Sequence, residues 1–154
     1  METLHFETTI NAPIAKVWDT MLNDATYRVW TLEFNEGGSW FEGSWESGSK
    51  IKFFGPDPKT GDVGGMTSEI AENRPHEYIS IRHLGFIQNG VEVFDTPEVK
   101  AWMPSYENYA FKSVDEHTTH ITVELTVPND FKDMFNEMWP RALTKLKEMC
   151  EESN

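Results

Sequence analysis

Apolar residues recur along the C-terminal segment at Phe131, Met134, Phe135, Met138, Trp139, Ala142, Leu143, Leu146, Met149 and Cys150. That is the i, i+3, i+4, i+7 spacing of one helical face. The stripe is wide and built from large side chains, so something of comparable extent must cover it. Pro140 sits in the interior, where a proline ring removes a backbone hydrogen bond and clashes one turn back, at a cost of about 3 kcal/mol or more. The pattern predicts one long amphipathic helix that bends at Pro140, follows a curved sheet and closes a pocket. The alternative is that Pro140 begins a separate final helix after a break at Met138–Trp139.

The remaining chain supplies the sheet. The opening 3-TLHFETTI-10 alternates as a strand does. In 11-NAPIAKVWDTML-22, Pro13 suits a first helical turn, a preceding small or polar residue can cap, and Ile14, Val17, Trp18, Met21 and Leu22 share a face. A short second helix follows around 24–34, with Asp24 as its N-cap. Strands are predicted at 39–45, 49–54, 66–73, 77–86, 106–114 and 118–127, with a turn at 55–65 and a hairpin turn at 115–117. Residues 88–105 show no clean period and read as a long loop with a helical turn at 97–102. Asp130 is expected to cap the final helix, which runs to about residue 152. Consecutive strands make an antiparallel meander, and one helix is left to cover it. The fold class is therefore α+β: a curved antiparallel sheet of about six to seven strands around a long C-terminal helix, with two short helices after the first strand.

A chain of 154 residues fits one domain, 1–154, with a sizeable core. Six Trp and ten Phe need a large apolar interior or groove to hide in. The net charge of −13 opposes nucleic acid and anionic membrane surfaces, which call for a positive field. No apolar run is long enough to span a bilayer, and the N-terminus has no apolar core of a signal peptide. The lone Cys150 excludes an intramolecular disulfide and fits a reducing compartment, so the expected location is cytoplasmic.

Several local phrases resemble those of a known superfamily. The run 9-TINAPIAKVWDTML-22 looks like its opening motif, a strand ending in I-x-A-P before an amphipathic helix with a Trp. Trp30 resembles the tryptophan after the second helix, and 43-GSWESGSKIKF-53 looks like a G-x-W-x-x-G-x-x-I hairpin. The segments 68-SEIAENRPHEYISIRHLG-85 and 139-WPRALTKLKE-148 are similar to phrases of one branch, that of the activator of the ninety-kilodalton heat-shock chaperone's ATPase. The superfamily is the START-like, or SRPBCC, helix-grip group, which includes polyketide cyclases and birch-pollen-allergen-like proteins. The resemblance covers nearly the whole chain. It implies a helix-grip fold with an internal cavity, and no single activity.

The five histidines show no metal-ligand spacing, and neither metal nor cofactor is expected. Cys150 lies among Glu148, Glu151 and Glu152, which would raise a thiol's pKa, so it reads as structural. The glycine-rich 61-GDVGG-65 lacks the lysine and helix of a phosphate loop. On the strands, Ile79, Ile81 and His83 share one face, and Tyr109 and Phe111 point with Glu107. His83 is then a polar group in an apolar cavity: either a core histidine bonded to a backbone carbonyl, or a ligand-orienting donor or general base.

The first expectation is a binding module that holds a small hydrophobic molecule between sheet and final helix. Its lining is drawn from Trp18, Met21, Trp30, Phe53, Met66, Ile81, His83, Tyr109, Phe111, Met138 and Trp139. The second is a cyclase- or hydratase-type enzyme using His83 with a tyrosine and an acidic residue. A lone His83 among apolar walls marks binding; a His, a Tyr and a carboxylate converging on one point marks catalysis. The third is a chaperone-associated interaction protein, against which stands the lack of a second domain for docking. The apolar residues of 88–105 either fold back as a lid over the cavity, the preferred reading, or pack against a second copy in a homodimer.

Overall fold

A computed structural model describes residues 1–35, 37–56 and 60–152. The chain runs β1 (Glu2–Ile10), α1 (Ile14–Leu22), α2 (Asp24–Trp30), β2 (Trp40–Gly43), β3 (Lys50–Pro56), β4 (Val63–Arg74), β5 (Tyr78–Gln88), β6 (Val91–Val93), α3 (Pro97–Trp102), β7 (Ser105–Asp115), β8 (Thr118–Val127) and α4 (Lys132–Glu152). The strands form one antiparallel curved sheet in the order β1-β8-β7-β5-β4-β3-β2, with β6 paired to β5 outside that path. The fold class is as the alternation predicts, with eight strands rather than six or seven. No helix is long and apolar enough to cross a membrane among the described residues.

The extra strand comes from the segment read as a loop. Gln88 pairs with Val91 across Asn89–Gly90, and both turn residues have positive φ, 51° and 78°. This is the two-residue hairpin geometry that Asn-Gly encodes, because its twist matches that of the strands. The helical turn at 97–102 is present as α3, capped by the Thr96 side chain. Two other cap expectations shift. Asn23, with extended backbone, caps α2 by accepting from the Ala25 N–H at 3.0 Å, one residue before Asp24. Asp130 lies inside a 3-10 turn, Asn129–Phe131, that leads into α4. Pro13 itself is the cap residue of α1, and no side chain bonds there. Of the turn expected at 55–65, residues 57–59 lie outside the described residues, and Val63–Gly65 is already strand.

Helix α4 runs unbroken through Pro140, which sets aside the separate-helix alternative. Pro140 is exposed on the outer face, in a groove with Arg141 and Lys145. The carbonyl one turn back belongs to Asn136, also exposed, so water can serve the bond that proline removes. The stripe is graded. Trp139, Ala142, Leu143, Leu146 and Cys150 are buried, whereas Phe131 and Met134 remain exposed. Trp139 meets Phe6 of β1 in a stack at 6.2 Å, and Phe34, Trp30 and Tyr109 at 4.9, 6.0 and 5.9 Å. The helix end is tied by Lys147, which donates to the Thr9 carbonyl, and by Glu151, which accepts from the Asn11 N–H.

Trp139→Ala is expected to cost about 3–5 kcal/mol, read from urea unfolding, because it removes the buried ring that joins helix and sheet. Pro140→Ala is expected to raise stability by up to about 3 kcal/mol with an unchanged denaturant slope.

Candidate functional site

Strand β5 changes partners at the site. Its residues 78–83 pair with β7, and residues 86–88 pair with β6. On its other edge Ser68 pairs with His83 but Thr67 pairs with Gly85, so Leu84 is an extra, bulged residue. A bulge inverts which face the following residues occupy. His83 faces inward before it, and Phe86, paired with Met66, faces inward after it. The sheet thus loses regular pairing beside His83, where side chains from β4, β5 and β7 meet.

Glu107 is the centre of that meeting. It stands on β7 with Ile81 of β5 and Leu125 of β8 as its register neighbours, so its stem lies in an apolar row. The Tyr109 hydroxyl donates to Glu107 Oε2. His83 Nε2 lies 3.0 Å from Glu107 Oε1, and His83 Nδ1 lies 2.7 Å from Ser68 Oγ. A carboxylate only accepts, so Nε2 carries a proton and donates to Glu107, while Nδ1 is paired with the Ser68 hydroxyl. His83 is therefore held by two side chains, in place of the backbone carbonyl of the plain core reading. Burial, followed by the charge of Glu107, pushes the Tyr109 phenol well above its ordinary range, and the same two causes in the same order raise Tyr27.

A cavity of about 150 Å³ opens against this network. It is walled by seven aromatic side chains, Tyr27, Trp30, Phe34, Phe53, Tyr109, Phe135 and Trp139, with Thr31, Ser39, Met66, His83 and Glu107. A second cavity, about 180 Å³, shares Met66, His83, Glu107 and Phe135 with it and is closed by Trp102 and Ser105. A third, about 360 Å³, shares Tyr27, Ser39, Phe53 and Met66 and reaches Gly65. Gly65 is needed there: its φ is 151°, and a Cβ would stand 1.7 Å from the Phe53 carbonyl oxygen.

Six of the eleven anticipated residues, Trp30, Phe53, Met66, His83, Tyr109 and Trp139, come together around the first cavity. The other five are not among its lining. Met21 and Ile81 are fully buried core, and Met138 is half-buried on α4. Trp18 and Phe111 pack on each other at 4.9 Å, with His76 beside Trp18. Ser68 and Tyr27 were absent from the anticipated lining. Glu107 was legible as the inward partner of Tyr109, through the alternation 107, 109, 111.

The set Ser68–His83–Glu107 has the composition of a nucleophilic triad but not its access. Ser68 is 1% exposed and does not line the cavity, so the carboxylate end is what faces the interior. Cys150 is fully buried, and burial raises its thiol, which makes it inert. Among the described residues no three His, Cys, Asp or Glu side chains gather as metal ligands.

No protein-family model matches the chain, and no curated protein matches its sequence. Solved structures do match in fold. A protein of Nitrosomonas europaea aligns over 98% of this chain and 95% of its own at a TM-score of 0.74 and 14% identity. The Aha1 dimer of Colwellia psychrerythraea aligns over 98% and 97% at 0.68 and 19% identity. A protein of the dynemicin biosynthetic locus aligns over all of this chain and 49% of its own at 0.66 and 13% identity. At these identities the likeness is one of fold, and it agrees with the helix-grip resemblance of the sequence motifs.

The tyrosines give a pH test. A raised folded-state pKa means that the folded state keeps a proton the unfolded chain has lost. Stability is then full below the ordinary tyrosine pKa of about 10 and falls above it, by about 1.4 kcal/mol per pH unit for each such tyrosine. In an alkaline ultraviolet titration, two of the four tyrosines should ionise only as the protein unfolds. Phe substitution at Tyr27 or Tyr109 should remove one each.

Proposed function

We propose that this protein binds a small, largely apolar molecule in the cavity between sheet and α4, with Glu107 receiving the molecule's one polar group. The observation that carries this reading is a hydrogen-bonded carboxylate lining a chamber otherwise walled mainly by aromatic rings. Apolar walls supply most of the affinity, and one placed polar group supplies orientation. The network is satisfied before any ligand arrives. Both His83 nitrogens are engaged, and each Glu107 oxygen already accepts a bond. That suits a preorganised anchor.

The convergence of His83, Tyr109 and Glu107 favours a second reading, acid–base catalysis of the cyclase or hydratase kind, with Glu107 as base. A carboxylate has lone pairs left after two bonds, and His83 and Tyr109 hold it in place. In this reading a bound molecule is chemically changed by the wild type and unchanged by Glu107→Gln. A chaperone-associated role draws support from the sequence phrases of that branch and from the likeness to the Aha1 dimer, and from no feature of the cavity.

Met66 touches all three cavities, so Met66→Trp should fill their junction at a cost of about 1–3 kcal/mol while leaving the fold intact. Small aromatic amphiphiles that raise the melting temperature of the wild type should fail to raise that of this variant. Equal shifts in both would overturn the cavity reading. The lid role of 88–105 draws support from Trp102, which walls the second cavity; exposed Val91 and Phe94 support the homodimer role. Hydrogen exchange separates them. Protection of 91–103 that rises with ligand makes the segment a lid, and protection that rises with protein concentration makes it the contact between copies.

A further inference from the structure

From the pairing of one carboxylate with an aromatic box we infer that the ligand is a hydrophobic organic cation, a small amine or quaternary ammonium carried on an apolar group. This rests on the binding reading above and specifies its ligand. Charge comes first. Glu107 is held in place by the phenol O–H of Tyr109 and the imidazole N–H of His83. Among the described residues, no lysine or arginine lines the three cavities. A carboxylate drawn out of water without a cation is costly, and an apolar neutral ligand that displaces water raises that cost. A cationic ligand removes it. An anionic ligand meets the same charge with the wrong sign.

The walls make the same selection. Tyr27 meets Trp30 at 77°, Phe34 meets Trp139 at 66°, and Tyr109 meets Trp139 at 61°. These rings, which all line the first cavity, pack on one another edge to face. A ring face attracts a cation by its quadrupole, most strongly for Trp, and desolvation increases the effect. The phenols of Tyr27 and Tyr109 stay protonated beside Glu107, so they add no second negative charge. The molecule's net charge of −13 raises the local concentration of cations and depletes anions. A cavity of about 150 Å³, joined to a second of about 180 Å³, limits the ligand to roughly one ring with a small substituent.

The test uses a matched pair, phenyltrimethylammonium and tert-butylbenzene, which share a shape and differ in one positive charge. Their dissociation constants are read from tryptophan fluorescence of the whole chain, with benzoate as the anionic comparison. The cation should bind about tenfold or more tighter than its neutral match, and benzoate should not bind. In Glu107→Gln the cation should lose that advantage while tert-butylbenzene binds as well or better. If the neutral compound binds as tightly as the cation to the wild type, the charge inference falls and the cavity reading stands. If neither binds, both fall. The wild-type comparison decides the matter even if the variant does not fold.

Discussion

Trp139 holds the two layers of this protein together. Its ring stacks on Phe6 of β1 and meets Tyr109 of β7, Trp30 of α2 and Phe34 just beyond α2. One side chain therefore contacts both ends of the β1-β8-β7 run and the helical segment that follows the first strand. Each such aromatic contact contributes about 0.5–1.5 kcal/mol beyond burial alone, and here they share one ring. The sheet has to stay curled, and α2 has to stay docked, for all of them to exist at once. Trp30 is anchored separately, by its indole N–H to the Met21 carbonyl, and Trp45 ties to the Leu22 carbonyl in the same way. The helical corner is thus fixed by hydrogen bonds as well as by ring packing.

The same ring that closes the core also walls the cavity, so stability and the site are not separable at Trp139. Elsewhere they are. Ala142, Leu143 and Leu146 fill the far half of the stripe with plain apolar packing. Near the start of α4, Phe135 lines both inner cavities, and Phe131 stacks on Trp102. The helix therefore seals the interior at one end and leaves room at the other. The graded burial of its stripe records that division.

Polar chemistry enters this interior through a defect in the sheet. The bulge at Leu84 and the exchange of β7 for β6 as the partner of β5 both fall next to His83. Buried polar groups are costly unless each is bonded, and here Ser68, His83, Glu107 and Tyr109 bond one another in a chain. The result is a negative group held rigidly in an aromatic chamber. Such a group can orient a ligand or take a proton from one. The difference lies in the ligand's chemistry, which the shape of the chamber restricts but does not specify.

Local pattern determined most of the fold by itself. Alternation marked seven strands, helical spacing marked α1 and α4, and Asn89-Gly90 encoded the eighth strand's hairpin, although aperiodic neighbours obscured it. These are readable because period 2 and period 3.6 are properties of the backbone, present before any packing occurs. Inward-facing Ile81, His83, Glu107 and Tyr109 were legible for the same reason. What the sequence could not determine is which inward residues share a space. Trp18 and Trp30 look alike on their helices, yet one packs against Phe111 and the other borders the cavity. Ser68 has no signal as a partner of His83, because their contact depends on the register of β4 against β5 and on a bulge between them. Register and bulges are set by the packing of whole sheet faces. Only the tertiary structure could therefore join four polar side chains from three strands, the Glu107 carboxylate among them, into one hydrogen-bonded chain.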